Sequence, residues 1–165
     1  MIVKDKEVMI KLIVIDEFLH NKKVLIDMLR ENLEINFPDR RNFEGYAEDS
    51  YEKMKAYLLS AEAILIGAFE EDKLIGFLWA YEKEIIGEKS IHIGHIVVMK
   101  NVRSSGIGTK LISFLEVLAV NKDIHKIDLI TTLQNKKTVE FYKARGYSEV
   151  RVQFEKEIGE KIVDK

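Results

Sequence analysis

A glycine-containing segment in the second half of the chain has the residue types of an anion-binding loop. Residues 103–109 read Arg-Ser-Ser-Gly-Ile-Gly-Thr and lie between a predicted strand and a predicted amphipathic helix. The first turn of a helix offers N–H groups without intrahelical partners and the positive end of the helix dipole, which favours phosphate. Gly106 and Gly108 allow a close approach of the backbone, and Arg103 can add a charge-assisted contact. This segment is therefore a candidate phosphate-binding loop.

Two better-known phosphate loops do not fit this segment. A dinucleotide-binding fingerprint needs a third glycine where this chain has Leu111,. A Walker loop needs four residues between its two glycines, whereas Gly106 and Gly108 are separated by one,. Considered alone, the junction is more typical of a plain tight turn than of a ligand site.

Hydrophobic periodicity predicts the elements that must position this loop. The predicted strands cover residues 8–14, 63–69, 74–81, 91–99, 127–133 and 147–157. The predicted helices run from Asp16 to a break at Pro38, over 50–61, from Ile107 onward, and over 135–144, where Gly146 can form a left-handed cap,. Residues 39–49 are predicted to form a polar loop. The order is β-α-α-β-β-β-α-β-α-β, which predicts an α/β (α+β) fold with helices packed on a mixed sheet.

Composition and charge exclude several classes of function. The net charge of -2 gives no general attraction to nucleic acid or to an anionic membrane, and no apolar run reaches the roughly 18 residues of a membrane span,. The lack of cysteine excludes disulfides and thiolate chemistry, and it fits the cytoplasmic location that we expect,. Basic residues recur between Lys122 and Arg145, either as a solvated surface or as a contact zone for phosphates. The whole chain, 1–165, is predicted to form one domain.

The glycine segment and a second pattern together resemble the N-acetyltransferases of the GNAT superfamily. Residues 98–108 are similar to the central motif of that family, in which a strand ends in valine before Arg/Gln-x-x-Gly-x-Gly/Ala opens a helix. The family then has a helix-opening asparagine, an aromatic-tyrosine pair and a Gly-aromatic pair, which here are Asn135, Phe141-Tyr142 and Gly146-Tyr147. The resemblance covers about residues 63–157 and implies a mainly antiparallel sheet flanked by helices.

The resemblance also implies how acetyl-CoA is bound and used. The backbone of Ile96, Val97 and Val98 should pair with the pantetheine arm, and Asn135 should hydrogen-bond that arm or act simply as an N-cap. The pyrophosphate should lie among Arg103, Ser104, Ser105, Gly106, Ile107, Gly108 and Thr109. Tyr142 should protonate the departing CoA thiolate, with a packed helix-face aromatic as the alternative.

A base that takes the proton of the acceptor amine is harder to assign. Many family members have an acidic residue three positions before the terminal valine of the central strand, where this chain has His95. His95 is either that base or relay, or a structural histidine. The glutamate that other members carry on the next strand is replaced by Ile130, and Asp128 is a weaker candidate. His92 and His95 are expected on opposite faces of a strand, so no metal is predicted.

The acceptor pocket is predicted around residues 37–51, with Trp79, Tyr81 and Glu84 nearby. Glu44, Glu48 and Asp49 could attract a cationic amine there, although an ordinary surface loop is the equal alternative. The segment after Gly146 is short for this family, so a homodimer formed through it is left open.

The expected function is acetyl transfer from acetyl-CoA to a primary amine of a small molecule or peptide, by direct attack in a ternary complex. Acetylation of protein N-termini or lysines is the first alternative. A regulatory module that binds CoA without turnover is the second. No nucleic acid or membrane partner is expected.

Overall fold

The computed structural model describes residues 7–156 and 158–159 of the chain. The chain divides into two compact units, Met1–Ile130 and Thr131–Lys165, which are described separately. None of the helices in the described part is long and apolar enough to cross a membrane. The assignment of the whole chain to a single domain stays a prediction.

The first unit contains all of the strands and most of the helices that the structure describes. In chain order its elements are β1 (Val8–Leu12), α1 (Ile15–His20), α2 (Lys22–Asn36), α3 (Phe43–Leu59), β2 (Ala63–Glu70), β3 (Lys73–Ile85), β4 (Glu88–Val98), a 3-10 turn (Lys100–Val102), α4 (Ile107–Asn121) and β5 (Ile127–Leu129). The second unit contains α5 (Lys136–Lys143).

One five-stranded sheet organises the first unit, with the strands in the order β1-β2-β3-β4-β5. The first four strands are antiparallel to their neighbours, and β5 runs parallel to β4. The predicted hairpin between β2 and β3 is present, and its two central residues, Glu71 and Asp72, have the positive φ angles that suit a tight hairpin turn,. The predicted fold class, a mixed and mainly antiparallel sheet flanked by helices, is confirmed.

The two faces of the sheet are covered by different helices. Phe77 and Trp79 point into a core formed with α1, α2 and α3, to which Phe18, Leu25, Leu29, Tyr51 and Met54 contribute. Helix α4 packs on the opposite face. Its residue Ile107 lies close to Gly76 of β3, where an added Cβ would be 3.3 Å from Ile107 Cγ2. Side chains alternate between the faces along a strand, so neighbouring residues of β3 contact different helices. The face covered by α1–α3 also carries the polar residues discussed below.

The N-terminal half departs from the predicted element order. The long first helix is divided at Asn21 into α1 and α2, and the helix predicted over 50–61 begins earlier, at Phe43. The loop predicted over 39–49 is therefore wrong beyond residue 42. One face of this longer helix buries Ala47, Tyr51 and Met54, and that burial outweighs the polar composition of residues 43–49,.

The predicted last strand is also wrong for the residues that the structure describes. Residues 147–156 belong to no strand, and Glu157 lies outside the described residues. The alternating Val150, Val152 and Phe154 are 77%, 77% and 92% exposed. A strand needs a partner for its backbone groups, and period-two alternation alone does not supply one.

Candidate functional site

An open strand edge lies at the centre of the first unit. β5 pairs with β4 only from Ile91 to Ile93, whereas β4 continues to Val98. Beyond Ile93, none of the described strands pairs with this edge of β4. Exposed backbone groups on such an edge can pair with an extended ligand as an added strand would.

The direction of the backbone groups decides which residues serve the open edge. Met99 N–H donates to Ile75 O of the β3 side at 2.9 Å. Because these directions alternate along an antiparallel strand, the peptide groups of Val97 point to β3 and those of Ile96 and Val98 point to the open edge. Val98 O accordingly accepts a hydrogen bond from Arg103 Nε at 3.0 Å. Two of the three predicted arm-binding residues therefore have suitably directed backbone groups, and Val97 contributes its side chain to the core.

The predicted phosphate loop leads from the end of β4 into α4. Gly106 is the N-cap residue with φ +80°, and Ser104 is also left-handed at φ +66°. The first intrahelical hydrogen bond runs from Lys110 N–H to Gly106 O, so the N–H groups of Ile107 and Gly108 precede it,. A side chain at Gly106 would meet nothing within 4 Å. The helix start is thus sterically open at Gly106, and the binding of a pyrophosphate by residues 104–109 stays a prediction.

Two polar side chains of this loop have partners within the first unit. Ser105 Oγ donates to Val102 O at 2.5 Å, which stabilises the turn that precedes the helix. Arg103 Nη2 contacts Glu31 Oε1 of α2 at 3.1 Å, in addition to its contact with Val98 O. The guanidinium is therefore held at the end of the open edge by one carbonyl and one carboxylate.

A β-bulge at Gly94 corrects the predicted placement of the two histidines. His95 is paired with Trp79 and Ile93 with Ala80, so Gly94 is the extra residue on β4,. Ile91 N–H donates toward β5 while Met99 N–H donates toward β3, although a regular strand would direct both to the same edge. His92 is paired with Tyr81. Since Trp79 and Tyr81 lie on one face, His92 and His95 share that face rather than opposite faces.

His92 and His95 have different surroundings on this shared face. His95 is partly buried, which lowers its pKa below the usual value, and its ring has no hydrogen-bond partner in the described part of the chain. His92 Nδ1 lies 2.6 Å from Asp128 Oδ1, and its ring packs against that of Tyr81 with 5.2 Å between centroids. Of the two, only His92 has a carboxylate partner among the described residues.

Asp128, the weaker base candidate from the sequence, is held by two donors. Lys83 Nζ lies 2.6 Å from the same Oδ1 atom that contacts His92. Burial alone would raise the pKa of Asp128, but the hydrogen bonds from Lys83 and His92 outweigh it and lower the pKa below its usual value. Asp128 is thus an ionised partner of two cationic or polar groups.

The second unit holds the remaining predicted site residues, Asn135 and Tyr142. Asn135 caps α5, since its Oδ1 accepts from Thr138 N–H at 3.3 Å. Tyr142 is 6% exposed and contacts Phe141 and Tyr147 edge-on, each with 5.3 Å between centroids. Burial, with a further contribution from Tyr147 and a smaller opposing one from Arg145, raises the pKa of Tyr142. Its hydroxyl therefore keeps its proton near neutral pH and can act as a donor. Gly146 has φ +85°, the left-handed conformation that the sequence predicts.

The predicted acceptor residues are dispersed rather than gathered into one pocket. Tyr51 is 1% exposed and stacks on Phe18 in the core, and Glu44 forms an ion pair with Arg30. Trp79 and Tyr81 both contact Tyr57 of α3, at 6.2 and 6.0 Å between ring centroids. Glu48, Asp49 and Glu84 are exposed.

A separate cavity of about 320 Å³ lies beside the end of β4. It is lined by α2 and by the residue that follows β4, namely Val24, Asp27, Met28, Arg30, Glu31, Glu34 and Met99. Three carboxylates and one guanidinium give its wall a net negative charge. The sequence did not indicate this cavity, because its lining combines one face of α2 with a single residue from the sheet.

Comparison with known proteins decides the family. A sequence profile described as the acetyltransferase (GNAT) family matches residues 26–147. The chain belongs to the GNAT acetyltransferase family. It is accordingly an acetyl-transferring enzyme, and the family uses acetyl-CoA as the acetyl donor. A comparison with curated protein sequences gives no match.

Solved structures agree with the GNAT assignment. An aminoglycoside acetyltransferase from an uncultured soil metagenomic sample is 19% identical, with a TM-score of 0.72, and the match covers 94% of this chain and 99% of that one. A ribosomal-protein-alanine N-acetyltransferase from Brucella melitensis biovar Abortus 2308 is 19% identical, with a TM-score of 0.66 and coverages of 93% and 100%. A Pyrococcus furiosus protein described as an acetyl transferase is 26% identical, with a TM-score of 0.72 and coverages of 92% and 100%. The two matches at 19% identity show the shared fold.

The main element of this GNAT site that sequence reasoning missed is the pairing of His92 with Asp128. An isolated glycine inside an apolar strand is a signal for a bulge, and Gly94 in the run from Ile91 to Val98 provides it,. Within the described residues, no group of three His, Cys, Asp or Glu side chains is arranged to hold a metal ion.

Proposed function

We propose that this GNAT enzyme transfers the acetyl group of acetyl-CoA to the primary amine of a small molecule or of a peptide, by direct attack in a ternary complex. The observation that carries the proposal is the open edge of β4 leading into the N-terminus of α4. An extended arm with a pyrophosphate at one end needs this combination of a strand edge and a helix start.

The residues present fit acetyl-CoA. Ile96 and Val98 would offer backbone groups to the amide-containing arm, and the N–H groups of Ile107 and Gly108, which precede the first intrahelical hydrogen bond, would face the pyrophosphate. Gly106 adopts φ +80° and leaves clear space at the helix start. Arg103, Ser104, Ser105 and Thr109 complete the proposed phosphate site, Asn135 is proposed to contact the arm, and Tyr142 is proposed as the donor to the leaving thiolate. When bound, acetyl-CoA supplies an activated acyl group whose thioester C–S bond breaks as the N–C bond of the amide forms.

Direct attack requires a neutral amine, because an ammonium has no lone pair. The chain contains no cysteine for an acyl-enzyme, and the sequence gives no sign of an activated serine,. Polar residues on the α1–α3 face of β4 and β5 are available to take the proton.

The acceptor amine must meet the acyl end of the arm, which lies where β5 begins to pair with β4. The cavity of about 320 Å³ lies at the other end of the arm, beside Met99 and the proposed phosphate loop, so it is not assigned to the acceptor. An aminoglycoside and a ribosomal-protein alanine are the acceptors named for two structural neighbours, and both are amines. We propose that the acceptor here is also a cationic amine.

Calorimetry with acetyl-CoA is the first test. We expect micromolar binding that a Gly106→Arg variant loses, because the new side chain would occupy the space at the start of α4. Thiol release would then be measured with an aminoglycoside, a polyamine and a peptide with a free N-terminal alanine. A folded native protein that does not bind acetyl-CoA would overturn the proposed function.

A further inference from the structure

The closed end of the gap between β4 and β5 contains a polar cluster that the predicted catalytic residues do not include. It consists of His92 on β4, Asp128 on β5 and Lys83 on β3, whose side chains are 13%, 26% and 24% exposed. The other ion pairs in the described part of the chain have more exposed side chains than this cluster.

We propose that His92 accepts the proton of the acceptor ammonium at Nε2, and that Asp128 and Lys83 are its positioning residues. This inference rests on the proposed acetyl transfer and names the proton acceptor for it. It also assigns Asp128 a role different from that of a base.

The chemistry of the contact between His92 and Asp128 fixes the histidine tautomer. An ionised carboxylate can only accept hydrogen bonds, so the His92 nitrogen 2.6 Å from Asp128 Oδ1 must carry the proton,. That nitrogen is Nδ1, which leaves the lone pair on Nε2. The same arrangement of carboxylate and imidazole orients the base in serine hydrolases and stabilises the imidazolium that forms.

The position of His92 matches the expected position of the acyl group. The proposed pyrophosphate site lies at the end of β4, and the open edge extends from Val98 back toward Gly94. The edge closes at Ile93, where β5 begins to pair with β4. An arm that follows the edge therefore brings its acyl end to the residues next to His92.

His95 is a weaker proton acceptor than His92. Its ring lies on the same face, but the structure describes no carboxylate or other hydrogen-bond partner for it. A proton taken up by His95 would place a charge in a desolvated position without compensation. Asp128 is a weaker proton acceptor as well, because the hydrogen bonds from Lys83 and His92 stabilise its ionised form,.

The N–H bond of the acceptor ammonium breaks and an N–H bond forms at His92 Nε2, so the positive charge moves to the imidazolium beside Asp128. The neutral amine then forms the N–C bond while the thioester C–S bond breaks. Tyr142, the proposed donor, gives its proton to the thiolate and takes up the second proton of the amine nitrogen, and His92 returns its proton to water.

The groups that face His92 determine how its function depends on pH. β5 contributes Asp128, β3 contributes Tyr81 and Lys83, and β4 itself contributes His95. Tyr57 of α3 stacks on Tyr81 behind them. Asp128 stabilises an imidazolium at His92, whereas the Lys83 ammonium, 3.4 Å from Nδ1, opposes it.

Turnover of acetyl-CoA with the three amine probes named above tests the proposal. His92→Gln should lower kcat by about 100-fold or more without changing the KM for acetyl-CoA, because base catalysis is lost and cofactor contacts are kept. The remaining rate should rise with pH as free amine accumulates. Asp128→Asn should move the acid limb of the native profile to lower pH, and Lys83→Met should move it to higher pH. A structural role alone would not produce opposite shifts.

The chain provides a matched control for the histidine–aspartate pair. His125 Nε2 contacts Asp123 Oδ1 at 2.9 Å, but both side chains are largely exposed. His125→Gln should leave kcat and the pH profile unchanged. Acetyl-CoA calorimetry on every variant separates a loss of fold or of cofactor binding from a loss of proton transfer.

A second measurement does not depend on finding the acceptor. The ¹⁵N spectrum of the histidine side chains should show the proton of His92 on Nδ1 in the native protein, and Asp128→Asn should weaken that preference. The proposal is overturned if His92→Gln keeps the native rate and profile, or if His92 carries its proton on Nε2. Failure of the proposed function itself would appear separately, as a native protein that does not bind acetyl-CoA.

Discussion

Arg103 Nη2 and Glu31 Oε1 lie 3.1 Å apart, so the proposed phosphate loop is joined to α2 by an ion pair. Both side chains are about one-third exposed, at 35% and 31%. An anionic ligand at the start of α4 would compete with Glu31 for the same guanidinium.

Replacing Glu31 with glutamine should tighten acetyl-CoA binding. A partly exposed pair is worth about 0.2–1 kcal/mol, so freeing Arg103 should lower the Kd by about 1.4- to 5-fold at low salt. Titration calorimetry at two salt concentrations measures this effect, which should shrink as salt screens the charges.

Glu34→Gln is the matched control for this prediction. Glu34 lies on the same helix and lines the same cavity, but it approaches Arg30, at 4.0 Å, rather than Arg103. Its replacement should leave the Kd nearly unchanged. Equal tightening in both variants would mean that the total charge of α2 matters and the contact with Arg103 does not.

Replacing Gly106 with alanine should separate backbone strain from ligand contact. Its φ of +80° costs a side-chain-bearing residue about 1–2 kcal/mol, although a Cβ there meets nothing within 4 Å,. Gly87→Ala shares both properties, with φ +75° in the turn between β3 and β4. Urea melts should show a similar loss of stability in both variants, and calorimetry should show weaker acetyl-CoA binding only for Gly106→Ala. Weaker binding in both variants would assign the effect to general destabilisation.

The sequence predicted those parts of the site that depend on local patterns. The start of α4 at Gly106 and the left-handed Gly146 follow from residue types whose conformational preferences are strong,. The hairpin at Glu71 and Asp72 follows from a charged turn between two apolar runs. Each of these features is decided within a few residues of chain.

Features that depend on contacts between distant residues were not predicted. The extra residue at Gly94 places His92 and His95 on the same face of β4 and not on opposite faces, because one inserted residue shifts the side-chain alternation of a strand,. The partner of Arg103 is 72 positions away on α2, and the partner of His92 is 36 positions away on β5. No periodicity in the sequence encodes such pairs.

Replacing Gly94 with alanine should disturb the face that carries the two histidines. The added Cβ would lie 2.8 Å from Trp79 Cδ1, which is closer than carbon atoms normally approach, and Trp79 is 5% exposed with little room to move. We expect a loss of about 1–3 kcal/mol in the free energy of unfolding, typical of overpacking, and a lower kcat.

Trp79→Leu provides the test of this clash. In the double variant the smaller side chain removes the contact with the new Cβ, so the two substitutions together should cost less stability than the sum of their separate effects. Urea melts of the four proteins in the cycle give this coupling. Strict additivity would contradict a steric origin.

Replacing Tyr142 with phenylalanine should slow thiol release while acetyl-CoA binding survives. Loss of a proton donor is expected to lower kcat by about 100-fold, with the Kd for acetyl-CoA changed little. Burial and Tyr147 raise the pKa of Tyr142, so its hydroxyl stays protonated past the usual tyrosine value of about 10,. Ionisation of Tyr142 should therefore cause no decline of the native rate at any pH below about 10. Tyr147→Phe, which removes a hydroxyl from the ring packed against Tyr142, is the control and should keep most of the activity. An equal fall in both variants would indicate disturbed packing around α5 instead of a lost proton donor.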